Sequence, residues 1–176
     1  TEWQYSVSVD IQARIIEKIT GKPLADFLRE RIFEPLQMRD TAYYVPASKR
    51  ARLATLYQLD PAQQALTARQ TVHDPVEPPS LTPGGIGLYS TATDYLRFAQ
   101  MLLNGGELNG VRILGPRTVE LMRVNHLPER LLTGEFGAGP SRFQAGHGFG
   151  YDLGVYTDPL RVGNPAGVGT YYWIGI

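Results

Sequence analysis

What most limits how this 176-residue chain can fold is a change of hydrophobic period along its length. Apolar residues recur at helical spacing in the first half and alternate one-on, one-off near the end. Ser8 can cap a helix carrying Ile11, Ile15, Ile16 and Ile19, and Thr20-Gly21-Lys22-Pro23 closes it, with Gly21 at the left-handed C-terminal position. Pro23 suits the first turn of a second helix with Leu24, Phe27, Leu28 and Ile32 as its buried stripe, and Pro35 ends it. Both helices are short and amphipathic, so they need a partner surface. Ser90 or Thr91 can cap a third helix with Asp94 in its first turn. Tyr95, Phe98, Met101 and Leu102 form its apolar face, and Asn104-Gly105-Gly106 stops it. One further helix is predicted over Pro116 to Val124. From Gly148 to Tyr156, Phe149, Tyr151, Leu153 and Val155 alternate with Gly150, Asp152 and Gly154, which predicts a strand. A turn-rich stretch comes next, and Val168 to Ile176 reads as a second strand. Helices first and paired strands later imply an α+β arrangement whose terminal antiparallel hairpin belongs to a larger sheet.

The stretch of about 42–83 breaks this order, punctuated by Pro46, Pro61, Pro75, Pro78, Pro79 and Pro83. Excursions of that length are usually lids or binding walls, with a surface crossover as the even alternative. Lys plus Arg balance Asp plus Glu at 17 each, so there is no electrostatic ground to expect nucleic acid or an anionic membrane. Cysteine is absent, which excludes disulfides and thiol nucleophiles. No run approaches the roughly 20 apolar residues of a membrane span. Thr1-Glu2-Trp3-Gln4 lacks the opening of a signal peptide and an initiator methionine, and Tyr171 to Ile176 stops within an apolar strand. Both ends therefore read as cuts.

Several kinds of chemistry lack their signature. His73, His126 and His147 show no metal spacing, and only His147, beside the first strand, stands out; a structural or surface role is the stronger expectation for it. No serine stands in a Gly-x-Ser-x-Gly elbow. Gly84-Gly85-Ile86-Gly87 lacks the residues of a phosphate loop and is better explained as a tight turn before a capped helix. No cofactor is implied.

The segment Trp3-Gln4-Tyr5-Ser6-Val7-Ser8 gains meaning from the runs downstream of it. Tyr5-Ser6-Val7 precedes the first helix and Thr20-Gly21-Lys22-Pro23. Next come Arg31-Ile32-Phe33-Glu34-Pro35-Leu36-Gln37-Met38-Arg39-Asp40-Thr41 and then Gly84-Gly85-Ile86-Gly87-Leu88-Tyr89-Ser90-Thr91-Ala92-Thr93-Asp94-Tyr95. Met101-Leu102-Leu103-Asn104-Gly105-Gly106 and Trp173-Ile174-Gly175 complete the series. In this order and spacing, the runs resemble the class C β-lactamase superfamily of serine hydrolases, and within it the family VIII carboxylesterases. Tyr5 falls at the family's second motif and Trp173 at its third.

The resemblance implies a β-lactamase/transpeptidase-like α+β fold, an antiparallel sheet flanked by helices plus a helical subdomain, present here only in part. It implies that residues 1–145 form a mostly helical portion with the second-motif tyrosine, and 146–176 a hairpin of the central sheet ending at the third motif. In the family a Ser-x-x-Lys motif supplies the nucleophile, and the second-motif tyrosine helps take its proton. A serine hydroxyl is a poor nucleophile without an adjacent base, and a tyrosine serves as one only beside a cation that favours its phenolate. By resemblance Tyr5 is that base, and Val7, Trp173, Gly175 and Ile176 line the substrate site, Ile176 at the position of an oxyanion-hole N–H donor. The only lysines are Lys18, Lys22 and Lys49, and none completes Ser-x-x-Lys, so the nucleophile belongs outside this segment and the segment alone is expected to be inactive.

Two departures bear on substrate. Val7 stands where β-lactamases commonly carry an asparagine that binds the substrate amide. Trp173 stands where they carry a lysine or histidine for the substrate carboxylate. Losing both favours neutral esters. Ile174 departs from the Trp-Gly-Gly usual in the esterase branch. The expected activity is a small-molecule ester hydrolase working through an acyl-enzyme. A β-lactamase or D-alanyl-D-alanine carboxypeptidase, or a non-catalytic penicillin-binding-like module, are the alternatives.

Overall fold

The computed structural model describes residues 6–62, 64–69, 75–128 and 146–173. Its contacts group Ala13–Arg97 as one compact unit, and Thr1–Gln12 with Phe98–Ile176 as another.

Helix α1 (Ser8–Thr20), whose residues from Ala13 on belong to the 13–97 unit, turns into helix α2 (Leu24–Leu28) through Gly21, whose φ of 69° is the left-handed closure its sequence predicts. Pro23 is the N-cap of α2 rather than its first helical residue. Ala13, Leu24 and Tyr43 form a buried cluster, with Ile16, Ala25 and Leu28 packed on it. The isoleucine stripe of α1 is not what is buried: Ile11, Ile15 and Ile19 are exposed. Past Leu28 the helix widens into a π-turn over Arg29–Phe33, where the Glu34 N–H donates to the Arg29 carbonyl. The extra residue in that turn shifts the inward face by one, so Phe33 is buried in place of the expected Ile32. Leu36 and Met38 continue this core.

Asp94 joins two distant stretches of the same unit. Its Oδ2 accepts from the Asp40 N–H at 2.7 Å and the Thr41 hydroxyl at 3.0 Å. Thr41 Oγ1 also meets Ser90 Oγ at 2.8 Å, and Ala42 pairs antiparallel with Tyr89. Gly87, at φ 99°, brings the backbone against the Tyr43 ring, whose hydroxyl donates to the Pro83 carbonyl. The Asp40 carboxyl takes Arg52 and Lys49, which hold it down at about 2. The long excursion is less irregular than its prolines suggest. It holds a 3-10 turn (Ala47–Arg52) and an antiparallel hairpin, β1 (Tyr57–Asp60) with β2 (Ala65–Ala68).

Helix α3 (Ala92–Leu103) is capped by the Thr91 hydroxyl, which accepts the Asp94 N–H. Met101 and Leu102 are buried, while Tyr95, expected on the same face, is exposed; Asp94, two turns before Met101, takes its place inside. The stop at Asn104-Gly105-Gly106 is a Schellman closure: the Gly106 N–H bonds the Met101 carbonyl, with Gly105 at φ 70°. A tight hairpin then joins β3 (Glu107–Leu108) to β4 (Val111–Arg112) through Asn109-Gly110, both at positive φ. Helix α4 (Pro116–Met122) has proline at its N-terminus.

The terminal sheet has three strands in the order β5 (His147–Phe149), β6 (Gly154–Tyr156) and β7 (Tyr171–Tyr172), all antiparallel. The single strand predicted over Gly148 to Tyr156 is thus a hairpin. Asp152, at φ 56°, and the Gly150 N–H bonded to the Leu153 carbonyl fold residues 150–153 into its turn. Alternation survives a turn this tight, so period alone does not reveal it. A one-turn helix, α5 (Pro159–Val162), sits in the β6–β7 connection, capped by the Asp158 side chain.

Candidate functional site

The sheet end at Trp173 is built by three short strands and the segment that covers their edge. Asn125 shields the open side of β5: its Oδ1 accepts from the N–H groups of Phe149 and Leu127, and His126 donates its backbone N–H to the Phe149 carbonyl. Gly148 leaves room for that approach, since a Cβ there would stand 2.6 Å from Asn125 Oδ1. The His126 ring stacks on Tyr151 with centroids 4.6 Å apart.

On the sheet, Phe149 and Tyr172 both face Gly154 from opposite sides. Tyr172 lies flat over that glycine: a Cβ at residue 154 would come within 2.8 Å of its Cζ. The Tyr172 hydroxyl thereby reaches His147 Nδ1 at 2.6 Å. Tyr156, paired with His147, packs edge-on to the imidazole and lies 5.0 Å from the Tyr172 ring. Burial holds the imidazole below its ordinary 6.5 and, with Tyr156 alongside, raises Tyr172 well above the usual tyrosine range. Both groups are therefore neutral near pH 7, and one hydrogen is shared between them.

Trp173 comes directly after Tyr172, 42% exposed, with its ring edge-on to Phe149 at 6.0 Å. It presents an uncharged aromatic surface at the end of the sheet. Val7 lies just before α1, exposed, its carbonyl accepting the N–H groups of Asp10 and Ile11. Val7 and Trp173 belong to the same compact unit. Tyr5, Gly175 and Ile176 lie outside the described residues, as does His73. Among the described residues no cluster of His, Asp or Glu could hold a metal ion, and no helix is long and apolar enough to cross a membrane.

His147 stands out in the sequence, but its partner does not; the spacing Gly154–Tyr172 carries the signal only once the strands are paired. The collinear runs around Asp40-Thr41 and Ser90 to Asp94 prove to be scaffold, each holding the other through the Asp94 carboxylate.

The β-lactamase family model matches residues 1–175, and the chain is a member of that family. It is 41% identical over 176 residues to protein Rv1367c of Mycobacterium tuberculosis, covering 97% of this chain and 43% of that protein. It is 28% identical to esterase EstB of Burkholderia gladioli, covering 99% of this chain and 44% of that enzyme. Among solved structures, EstCE1, a hydrolase with promiscuous acyltransferase activity, matches with a TM-score of 0.74 at 25% identity, over 96% of this chain and 44% of that one. Simvastatin synthase (LovD) from Aspergillus terreus matches with a TM-score of 0.75 at 22% identity, over 96% of this chain and 43% of that one. The fold is thus part of the β-lactamase/transpeptidase fold, and the chain spans less than half the length of these relatives.

Proposed function

We propose that this chain is the second-to-third-motif portion of a serine carboxylesterase that works through an acyl-enzyme. Residues 1–145 carry the second motif, and 146–176 the sheet segment ending at the third. Tyr5 is the general base. The nucleophilic serine and its lysine belong to the part of the protein outside this segment. Val7, Trp173, Gly175 and Ile176 line the substrate pocket, with Ile176 supplying an oxyanion-hole N–H.

The observation that supports an ester over a β-lactam is Trp173, a half-exposed aromatic resting on Phe149 at the position where a carboxylate-binding cation would serve an anionic substrate. Val7, with no amide, agrees with it. An apolar wall gains from burying an acyl or alkoxy group and gives an anion no partner. The name of the Burkholderia relative, an esterase, points the same way. The intact protein is expected to hydrolyse nitrophenyl butyrate with a kcat/KM at least about 100-fold above that for a chromogenic cephalosporin, a difference of roughly 3 kcal/mol in transition-state binding. A preference for the cephalosporin would instead assign the protein to the β-lactam side of the family.

A further inference from the structure

The acylation scheme gives no role to a hydrogen-bonded pair of the terminal sheet, buried His147 and half-buried Tyr172. Their geometry is unusual for a sheet. His147 is on β5 and Tyr172 on β7, with β6 between them. Neighbouring strands lie about 4.8 Å apart, so the two backbones are separated by roughly 10 Å and the side chains must cross the middle strand to meet. They cross it at Gly154, the residue opposite Tyr172, where any side chain would collide with the tyrosine ring. Tyr156 flanks the crossing on the same strand and packs against both rings.

The next pair repeats the grip. Two residues along β5 from His147 comes Phe149; one residue along the chain from Tyr172 comes Trp173; and these two rings meet edge to face. The end of β7 is therefore held to β5 at two points, by a hydrogen bond and by an aromatic contact.

We propose that His147 and Tyr172 are positioning residues: their hydrogen bond across Gly154 sets the strand end from which Trp173 meets substrate. The substrate half of this inference rests on the pocket role given to Trp173 above. The hydrogen bond does not touch substrate. It sets where the Trp173 ring stands at the end of the sheet, and with it the fit of the ester's apolar group.

The test uses the intact protein carrying 5-fluorotryptophan, with the Trp173 fluorine signal assigned from a Trp173→Phe variant. Tyr172→Phe keeps the ring and removes only the hydroxyl; His147→Leu removes the other partner; His147→Asn returns a polar atom near the position of Nδ1. Tyr172→Phe and His147→Leu should each move the Trp173 signal and raise KM for nitrophenyl butyrate about fivefold with kcat within about twofold, the effect of one neutral hydrogen bond expressed in binding. The double variant should be no worse than either single one, and His147→Asn should recover most of the loss. Melting curves identify any variant that fails to fold, and the isosteric Tyr172→Phe then decides. A Trp173 signal or a KM that Tyr172→Phe leaves unmoved in an active enzyme overturns the positioning role. An intact protein that does not hydrolyse the ester, but whose Trp173 signal responds to the pair as described, overturns the esterase reading and the substrate half of this inference, and leaves the structural half standing.

Discussion

Asp94 stands in the first turn of α3, where a carboxylate is favoured by the helix dipole, but its Oδ2 is engaged elsewhere. Oδ2 accepts from the Asp40 N–H and the Thr41 hydroxyl, and the residue is buried. Replacing it with alanine leaves the half-buried Asp40 N–H and the buried Thr41 hydroxyl without this acceptor, which costs about 2–3 kcal/mol. Urea denaturation of Asp94→Ala should show that loss at an unchanged slope, with Asp94→Asn losing less because one acceptor remains. A change under about 0.5 kcal/mol would mean that the 40–41 turn is held by something else. The position of Asp94 at a helix start is legible in the sequence, because capping is local. Its partners lie more than fifty residues away, and no local pattern announces them. The same holds for His147, whose neighbours in sequence are visible and whose partner Tyr172 appears only when β5, β6 and β7 are in register.

Elements are readable in proportion to how far their signals lie in backbone chemistry. The α1–Gly21 closure, the Thr91 cap, the Asn104-Gly105-Gly106 stop and the proline-led α4 all stand where turn and cap residues put them. Asn109-Gly110 is an equally clear turn pair, but its strands are only two residues each, too short to show a period. The β1–β2 hairpin is hidden by Pro61 at its turn, and the β5–β6 hairpin by an alternation that runs on through residues 150–153. Burial is less readable than helicity. Amphipathic spacing marks the isoleucines of α1 as one face, yet Ala13 and Ile16 are the residues turned to the Leu24 and Tyr43 cluster. In the 176-residue chain, Ile15→Lys should therefore change stability by less than about 0.5 kcal/mol, whereas Ala13→Asp should cost more than about 2 kcal/mol by burying a charge without a partner. Comparable losses from the two, read by denaturant melts, would place Ile15 in the core after all.

At the scale of the molecule, the chain belongs to the β-lactamase family and spans less than half of its relatives' length. Membership is legible because many short runs stand in one order, each weak by itself. The described residues account for those runs chiefly as scaffold: the Asp94 junction and the Gly87–Tyr43 approach join distant stretches of the 13–97 unit, and the Gly106 closure ends α3. What sequence could not convey is the contact beside Trp173, where a glycine gap lets Tyr172 reach His147 across three strands. The proposed function turns on Tyr5 taking the proton of the nucleophile. Its most direct test is the rate of acyl-enzyme formation, monitored by stopped-flow release of nitrophenol and by intact-protein mass, in the full-length protein and its Tyr5→Phe variant. Loss of a positioned general base predicts an acylation rate lower by about 10²- to 10⁴-fold with the melting temperature unchanged. Acylation within about threefold of the parent protein would contradict the assignment of Tyr5 as the base.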